Sequence, residues 1–182
     1  KKIRRVGEGV AVVVAENLDQ AKDAAELIDI ETEPLAALPH ITSAMATNAP
    51  AIWDEVPDNV VVDDVKGDAA EVDAAFARAV HIFQFETFNN RVTGVPMEPR
   101  AAVGDYNPFE DRYTLHAGNQ FPHDIRSWLA GGVLNVPESK LRIVSPDMGG
   151  SFGLRSTCFP ELALTVWAAK QLGRPVKWVN ER

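Results

Sequence analysis

Cysteine is almost absent from this 182-residue chain: Cys158 stands alone. An internal disulfide is therefore excluded, and the composition fits a reducing compartment, which points to the cytoplasm. No apolar run approaches the ~20 residues of a membrane-spanning helix. The opening KKIRRVGEGV is basic but has no apolar stretch or small-residue cleavage site behind it, so it does not read as a signal peptide. Four histidines (His40, His81, His116, His123) have no metal-ligand spacing with one another or with Cys158, which argues against a zinc site. GxSxG, HExxH and Walker patterns are missing. Basic patches with interleaved aromatics are missing too, and the net charge is −8, so nucleic acid is not an expected partner. The acid is uneven: residues 1–66 carry 13 acidic against 6 basic groups, which reads as a solvated face.

Among the features that are present, the most informative is PDMGGSFGLRSTCFPE, residues 146–161. Gly149, Gly150 and Gly153 surround one serine and one aromatic, between a strand-like run (141–145) and a helix-like run (161–173). Glycines let the backbone approach a ligand because no Cβ intervenes. A strand, a glycine-rich turn and a helix together form a common grip on a cofactor. GGSFG is neither GxGxxG nor GxxxxGK[ST], so it is a weak match to a nucleotide-binding loop.

Residues 9–15 (GVAVVVA) predict a buried strand. Asn17 and Gln20 predict a capping box, followed by a helix through Ala21, Ala24, Ala25 and Ile28 that fades by Glu33-Pro34. Residues 40–66, broken by Pro50 and Pro57, read as a connector between domains, packed by Ile52 and Trp53. Asp68 and Glu71 open a helix carrying Val72, Ala75, Phe76 and Ala79. VHIFQFETF (80–88) reads as a strand, and VPMEPRAAVGDY, RYTLHAGNQ and KLRIVS supply further strands. Pro122 opens a helix through Ile125, Trp128 and Leu129, weakened at Gly131-Gly132. The last helix should stop at Gly173 before Pro175, with a strand over 176–179. Both chain ends are abrupt, which predicts a piece of something larger.

Three further sites carry open alternatives. Cys158 is a nucleophile or, the favoured reading, a small residue filling space beside Phe159. Glu98 in PMEPR, beside Arg100, is half of a fixed ion pair or of a binding corner. Gln120, with His123, flanks Phe121-Pro122 and either donates to a ligand oxygen or caps a helix.

VPMEPRAAVGDY, HAGNQFPHDIRSWLAGGVLNVPESKLRIVSPDMGGSFGLRS and FPELALTVWAAKQLGRPVKWVNER together resemble the large, molybdopterin-binding subunit of the molybdenum hydroxylases. That family includes xanthine dehydrogenase, aldehyde oxidase and the large chain of aerobic carbon monoxide dehydrogenase. PMEPR, NQFPH and GGSFG occur in the family's order with matching gaps. VGEGVAVVVAENLDQAKDAAELIDIETEPLAAL is similar to the second half of the family's α/β hammerhead domain.

The resemblance implies an α+β fold: the C-terminal part of a hammerhead domain over 1–39, a connector over 40–66, and the first part of a molybdopterin-binding domain over 67–182. It also implies a pterin-held molybdenum, with the cytosine dinucleotide as the expected form. Gln120 would hydrogen-bond near the apical oxo group. Gly149, Gly150, Ser151, Phe152 and Gly153 would wrap the cofactor, with Phe152 at the wall. Purine-hydroxylating members carry a glutamate three or four residues past the phenylalanine. Here Arg155 and Ser156 stand in that region, which argues against purines; Arg155 would pair with an anionic part of the cofactor or lie on the surface.

The implied parent hydroxylates an aldehyde or N-heterocycle, or oxidises carbon monoxide, with oxygen from water. Its partners would be iron–sulfur and FAD subunits, in a dimer of heterotrimers. The family's general-base glutamate lies beyond residue 182, so this chain is expected to be inactive alone. The alternative is a non-catalytic binding module or truncated remnant that kept the fold without binding the cofactor.

Overall fold

The structure, a computed structural model, describes residues 2–90 and 92–181. They divide into two units. One takes the described residues of Lys1–Val10 with Glu26–Asn89, the other those of Ala11–Ala25 with Asn90–Arg182.

The first unit has little core. It holds α2 (Ile41–Ala44) and α3 (Ala69–Arg78), neither with a buried residue. Asp68 caps α3 as expected: its carboxylate accepts from the Glu71 N–H at 3.0 Å. Polar ties hold the connector. Asn59, in the left-handed region at φ 60°, accepts from the Ile52 N–H at 2.8 Å and donates to the Ala44 carbonyl at 2.9 Å. Trp53 is half exposed rather than packed inside, and the Arg4 guanidinium lies 4.1 Å from its ring centre. The expected strand over 80–88 does not form. Residues 80–88 have no ladder partner among the described residues, and Phe83 and Phe85 are exposed. Alternating apolar residues need a neighbouring strand before they become sheet.

The second unit opens with α1 (Leu18–Glu26, its last residue counted with the first unit), started by Asn17, whose side chain accepts from the Gln20 N–H at 2.9 Å. This helix stops earlier than the sequence suggests and buries nothing. The strand expected at 9–15 is likewise not formed, and Val10, Val12 and Val14 are exposed.

A four-stranded sheet organises the rest of this unit: β1 (Ala101–Asn107), β2 (Arg112–Ala117), β3 (Leu141–Val144) and β4 (Val176–Val179), in the order β3-β2-β1-β4. β1 and β2 form an antiparallel hairpin, β4 pairs antiparallel with β1, and β3 runs parallel to β2. The β2–β3 crossover holds α4 (Pro122–Ser127), a π-helical turn (Trp128–Leu134) and a 3₁₀ turn (Glu138–Lys140). The single helix expected from Pro122 onward thus widens after Ser127, where Gly131 and Gly132 lower the helical preference. Asn135, left-handed at φ 55°, closes it.

α5 (Pro160–Leu172) packs over β1, β2 and β4 and ends at left-handed Gly173, as the sequence predicts. The core joins Leu115, Ile125, Leu129 and Val166, all fully buried, with Ala102, Tyr113, Leu141 and Leu162. α5 comes so close to β1 that a methyl group on Gly104 would overlap the Thr165 carbonyl. The fold is therefore a mixed α/β unit with an open sheet.

Candidate functional site

Strand direction explains why three separated motifs meet. β2 and β3 are parallel, with His116 opposite Val144, so the loops after both strands leave from the same edge of the sheet. β1 runs the other way, with Ala102 opposite Ala117, so PMEPR enters β1 at that edge too. In α/β sheets the ends of parallel strands are the usual place for ligands.

At this edge the Ser151 hydroxyl donates to Gln120 Oε1 at 2.6 Å, across 31 residues of sequence. Ser151 Oγ in turn accepts the Arg155 N–H at 3.2 Å. The serine proton is thus directed to Gln120 while its oxygen holds the Arg155 amide. The Gln120 amide therefore turns its oxygen toward the loop, and among the described residues no acceptor takes its NH₂. The Gln120 N–H also reaches the Arg155 carbonyl at 3.1 Å. Gln120 does not cap α4; the capping position is Phe121, which gives no side-chain bond. His123, inside α4, accepts the Ser127 hydroxyl on its carbonyl at 3.2 Å.

The glycine loop is a sequence of tight turns, closed by Leu154 N–H to Ser151 carbonyl at 2.9 Å and Ser156 N–H to Gly153 carbonyl at 3.2 Å. Gly150, Phe152 and Gly153 have φ of 104°, 51° and 84°. The left-handed region is costly for a bulky residue such as Phe152, and such strain clusters at functional sites. Among the described residues no acceptor takes the N–H of Gly150, Ser151, Phe152 or Gly153. Consecutive free amides around left-handed residues make a concavity suited to anionic oxygens. The Phe152 side chain is exposed. A methyl on Gly150 would lie 3.0 Å from the Phe152 ring and 3.4 Å from Pro96. These features fit a cofactor rich in oxygen and phosphate.

The charged residues pair differently from the sequence reading. Glu98 does not bond its neighbour Arg100. It bonds Arg155 at 3.2 Å and also accepts the Gly149 N–H. Arg100 instead reaches Glu161 at 3.4 Å, its guanidinium stacked 3.7 Å above Phe159. Arg155 is not a surface residue: it is 3 % exposed, and its Nη2 donates to the Glu98 carbonyl at 2.7 Å. Its charge is thus spent on the backbone and carboxylate of PMEPR, which locks that motif to the glycine loop. Asn119, which the sequence reading passed over, is also buried; its N–H donates to Ser145 Oγ at 3.2 Å, and Ser145 Oγ donates to its carbonyl at 3.1 Å. Its place beside Gln120, directly after β2, was the available signal. Cys158 packs against the core, and burial pushes its thiol up to about 11, as suits a space-filling residue rather than a nucleophile.

Residues 52–182 match the family described as molybdopterin cofactor-binding domain. The chain belongs to that family. It is 38% identical over 182 residues to the nicotine 6-hydroxylase large subunit of Paenarthrobacter nicotinovorans, covering 99% of this chain and 22% of that subunit. It is 31% identical to the carbon monoxide dehydrogenase large chain of Hydrogenophaga pseudoflava, covering 95% of this chain and 23% of that one. Among solved structures, quinoline 2-oxidoreductase from Pseudomonas putida 86 superposes with a TM-score of 0.79 at 30% identity, covering 92% of this chain and 21% of that chain. The chain thus spans about a fifth of the length of these relatives. Among its described residues, no helix is long and apolar enough to cross a membrane.

Proposed function

We propose that this chain is the part of a molybdenum hydroxylase large subunit that grips the cofactor along one edge of its sheet. The observation that carries the proposal is the run of free amides from Gly150 to Gly153, closed onto Gln120 through Ser151. When bound, the molybdopterin cofactor, in its cytosine dinucleotide form, supplies the oxygen-transfer and electron-accepting chemistry, with water as the oxygen source.

The residues here bind and orient. Gln120 offers its NH₂ to a cofactor oxygen because its own oxygen is held by Ser151. The Gly150–Gly153 amides serve as further donors, and donors fixed in advance need no reorganisation at the moment of reaction. Phe152 walls the site. Arg155 and Glu98 hold the loop and PMEPR in register. The substrate class we favour is an N-heterocycle, since relatives at 38% and 30% identity are named for nicotine and quinoline, both nitrogen heteroaromatics. We assign residues 1–39 to the tail of a hammerhead domain, 40–66 to a connector and 67–182 to the opening of the molybdopterin-binding domain. Iron–sulfur and FAD subunits would receive the electrons in a cytoplasmic assembly.

The test is Gln120→Ala in the full-length subunit with its partners. Loss of one oriented donor should lower kcat by about 10²–10³ and alter the Mo(V) electron paramagnetic resonance spectrum, while molybdenum content stays near that of the parent. An unchanged spectrum with unchanged kcat would refute the role given to Gln120.

A further inference from the structure

A small cavity is lined by Arg100, Gly118, Asn119, Arg155, Thr157 and Phe159 among others. Its volume is about 10 Å³. That is close to the least that admits one water.

Two lining side chains are incompletely bonded. Among the described residues, Asn119 Oδ1 and Arg155 Nε are the buried side-chain polar atoms without a hydrogen-bond partner. Both residues are more than nine-tenths buried. The Asn119 amide is not free to turn, because its Nδ2 donates to the Ala117 carbonyl at 2.8 Å. Its oxygen is therefore the atom left over. The Arg155 Nη2 group is already shared between the Glu98 and Pro99 carbonyls at 2.7 and 3.4 Å, and Nε is the buried guanidinium nitrogen that has no partner among the described residues. One orphan is an acceptor and the other a cationic donor.

We infer that a single buried water occupies this cavity, accepting from Arg155 Nε and donating to Asn119 Oδ1, and ties the loop after β2 to the loop after β3. The chemistry selects water over an ion. An anion would satisfy the guanidinium but face the Asn119 oxygen. A cation would satisfy that oxygen but face the guanidinium. Water alone meets both, and buried waters typically serve polar groups of this kind. Asn119 adjoins Gln120, and Arg155 closes the turn that begins at Ser151, so the bridge would support the Gln120–Ser151 contact from behind. The inference does not depend on a cofactor being bound.

A high-resolution crystal structure of the full protein is the first test. It should show one ordered water within hydrogen-bond distance of both atoms. A dry cavity, a direct Asn119–Arg155 bond or a bound ion would each overturn the inference. In solution, water magnetic relaxation dispersion should lose one long-lived water in Asn119→Leu, which keeps the shape and removes the acceptor. The same variant should exchange the Gln120 amide faster, since that N–H is held by Arg155. Retention of the long-lived water in Asn119→Leu would also contradict the bridge. If that variant does not fold, the wild-type structure decides.

Discussion

Single residues at the sheet edge do work that their neighbours in sequence do not reveal. Ser151 sets the direction of the Gln120 amide, and Arg155 spends its charge on PMEPR. Neither role is visible in the motif spelling, because both depend on which strands pair. The residue types were legible: three glycines, a glutamine before Pro122, a carboxylate between prolines. The partners were not, and Glu98 illustrates why. Its neighbour Arg100 looks like its partner, yet the backbone turns Arg100 toward Phe159 and Glu161 and brings Arg155 in from 57 residues away. One residue-scale prediction concerns Cys158. A thiol raised from 9.0 to about 11 keeps its proton at pH 8, so its thiolate fraction falls roughly 100-fold. Alkylation of the folded protein at pH 8 should be slower than that of the urea-unfolded chain by about that factor. Equal rates would show that Cys158 is not packed as described.

Elements divide into those that find a partner and those that do not. β1, β2, β3, β4, α3 and α5 follow the sequence reading closely, because local signals and tertiary neighbours agree there. Residues 9–15 and 80–88 have equally apolar patterns but no described neighbour to receive them. Periodicity states what a segment would bury, and it is silent on what it buries against. Stability should be distributed in the same way. Leu115→Ala, in the fully buried core between α5 and the sheet, should cost about 2–5 kcal/mol by chemical denaturation. Phe83→Ala, at a side chain 92% exposed, should change the midpoint little. Gly104→Ala should also destabilise, by about 1–3 kcal/mol, since α5 must retreat from β1. Comparable effects at all three positions would mean that the core is not where the fold puts it.

At the scale of the whole molecule, many large apolar side chains among the described residues are exposed. Val80, Ile82, Phe83, Phe85, Phe88, Val92, Val95 and Met97 are all exposed along one stretch of sequence. Apolar stretches of this kind mark surfaces that other polypeptide covers. The chain alone should therefore self-associate at concentrations where ordinary globular proteins of its length stay monomeric, as sedimentation velocity would show. It should also give no sustained dye reduction with aldehydes, purines, nicotine-like heterocycles or carbon monoxide, since it spans about a fifth of its relatives' length. Sustained turnover by this chain alone would contradict its assignment as one wall of a larger site. The most direct test of that assignment is the molybdenum content of the full-length subunit carrying Gly150→Val. Valine at φ 104° would crowd Phe152 and Pro96 and fill the approach to the free amides. The account predicts near-stoichiometric molybdenum in the parent and background levels in the variant, with circular dichroism unchanged. Equal molybdenum in a folded Gly150→Val variant would contradict it.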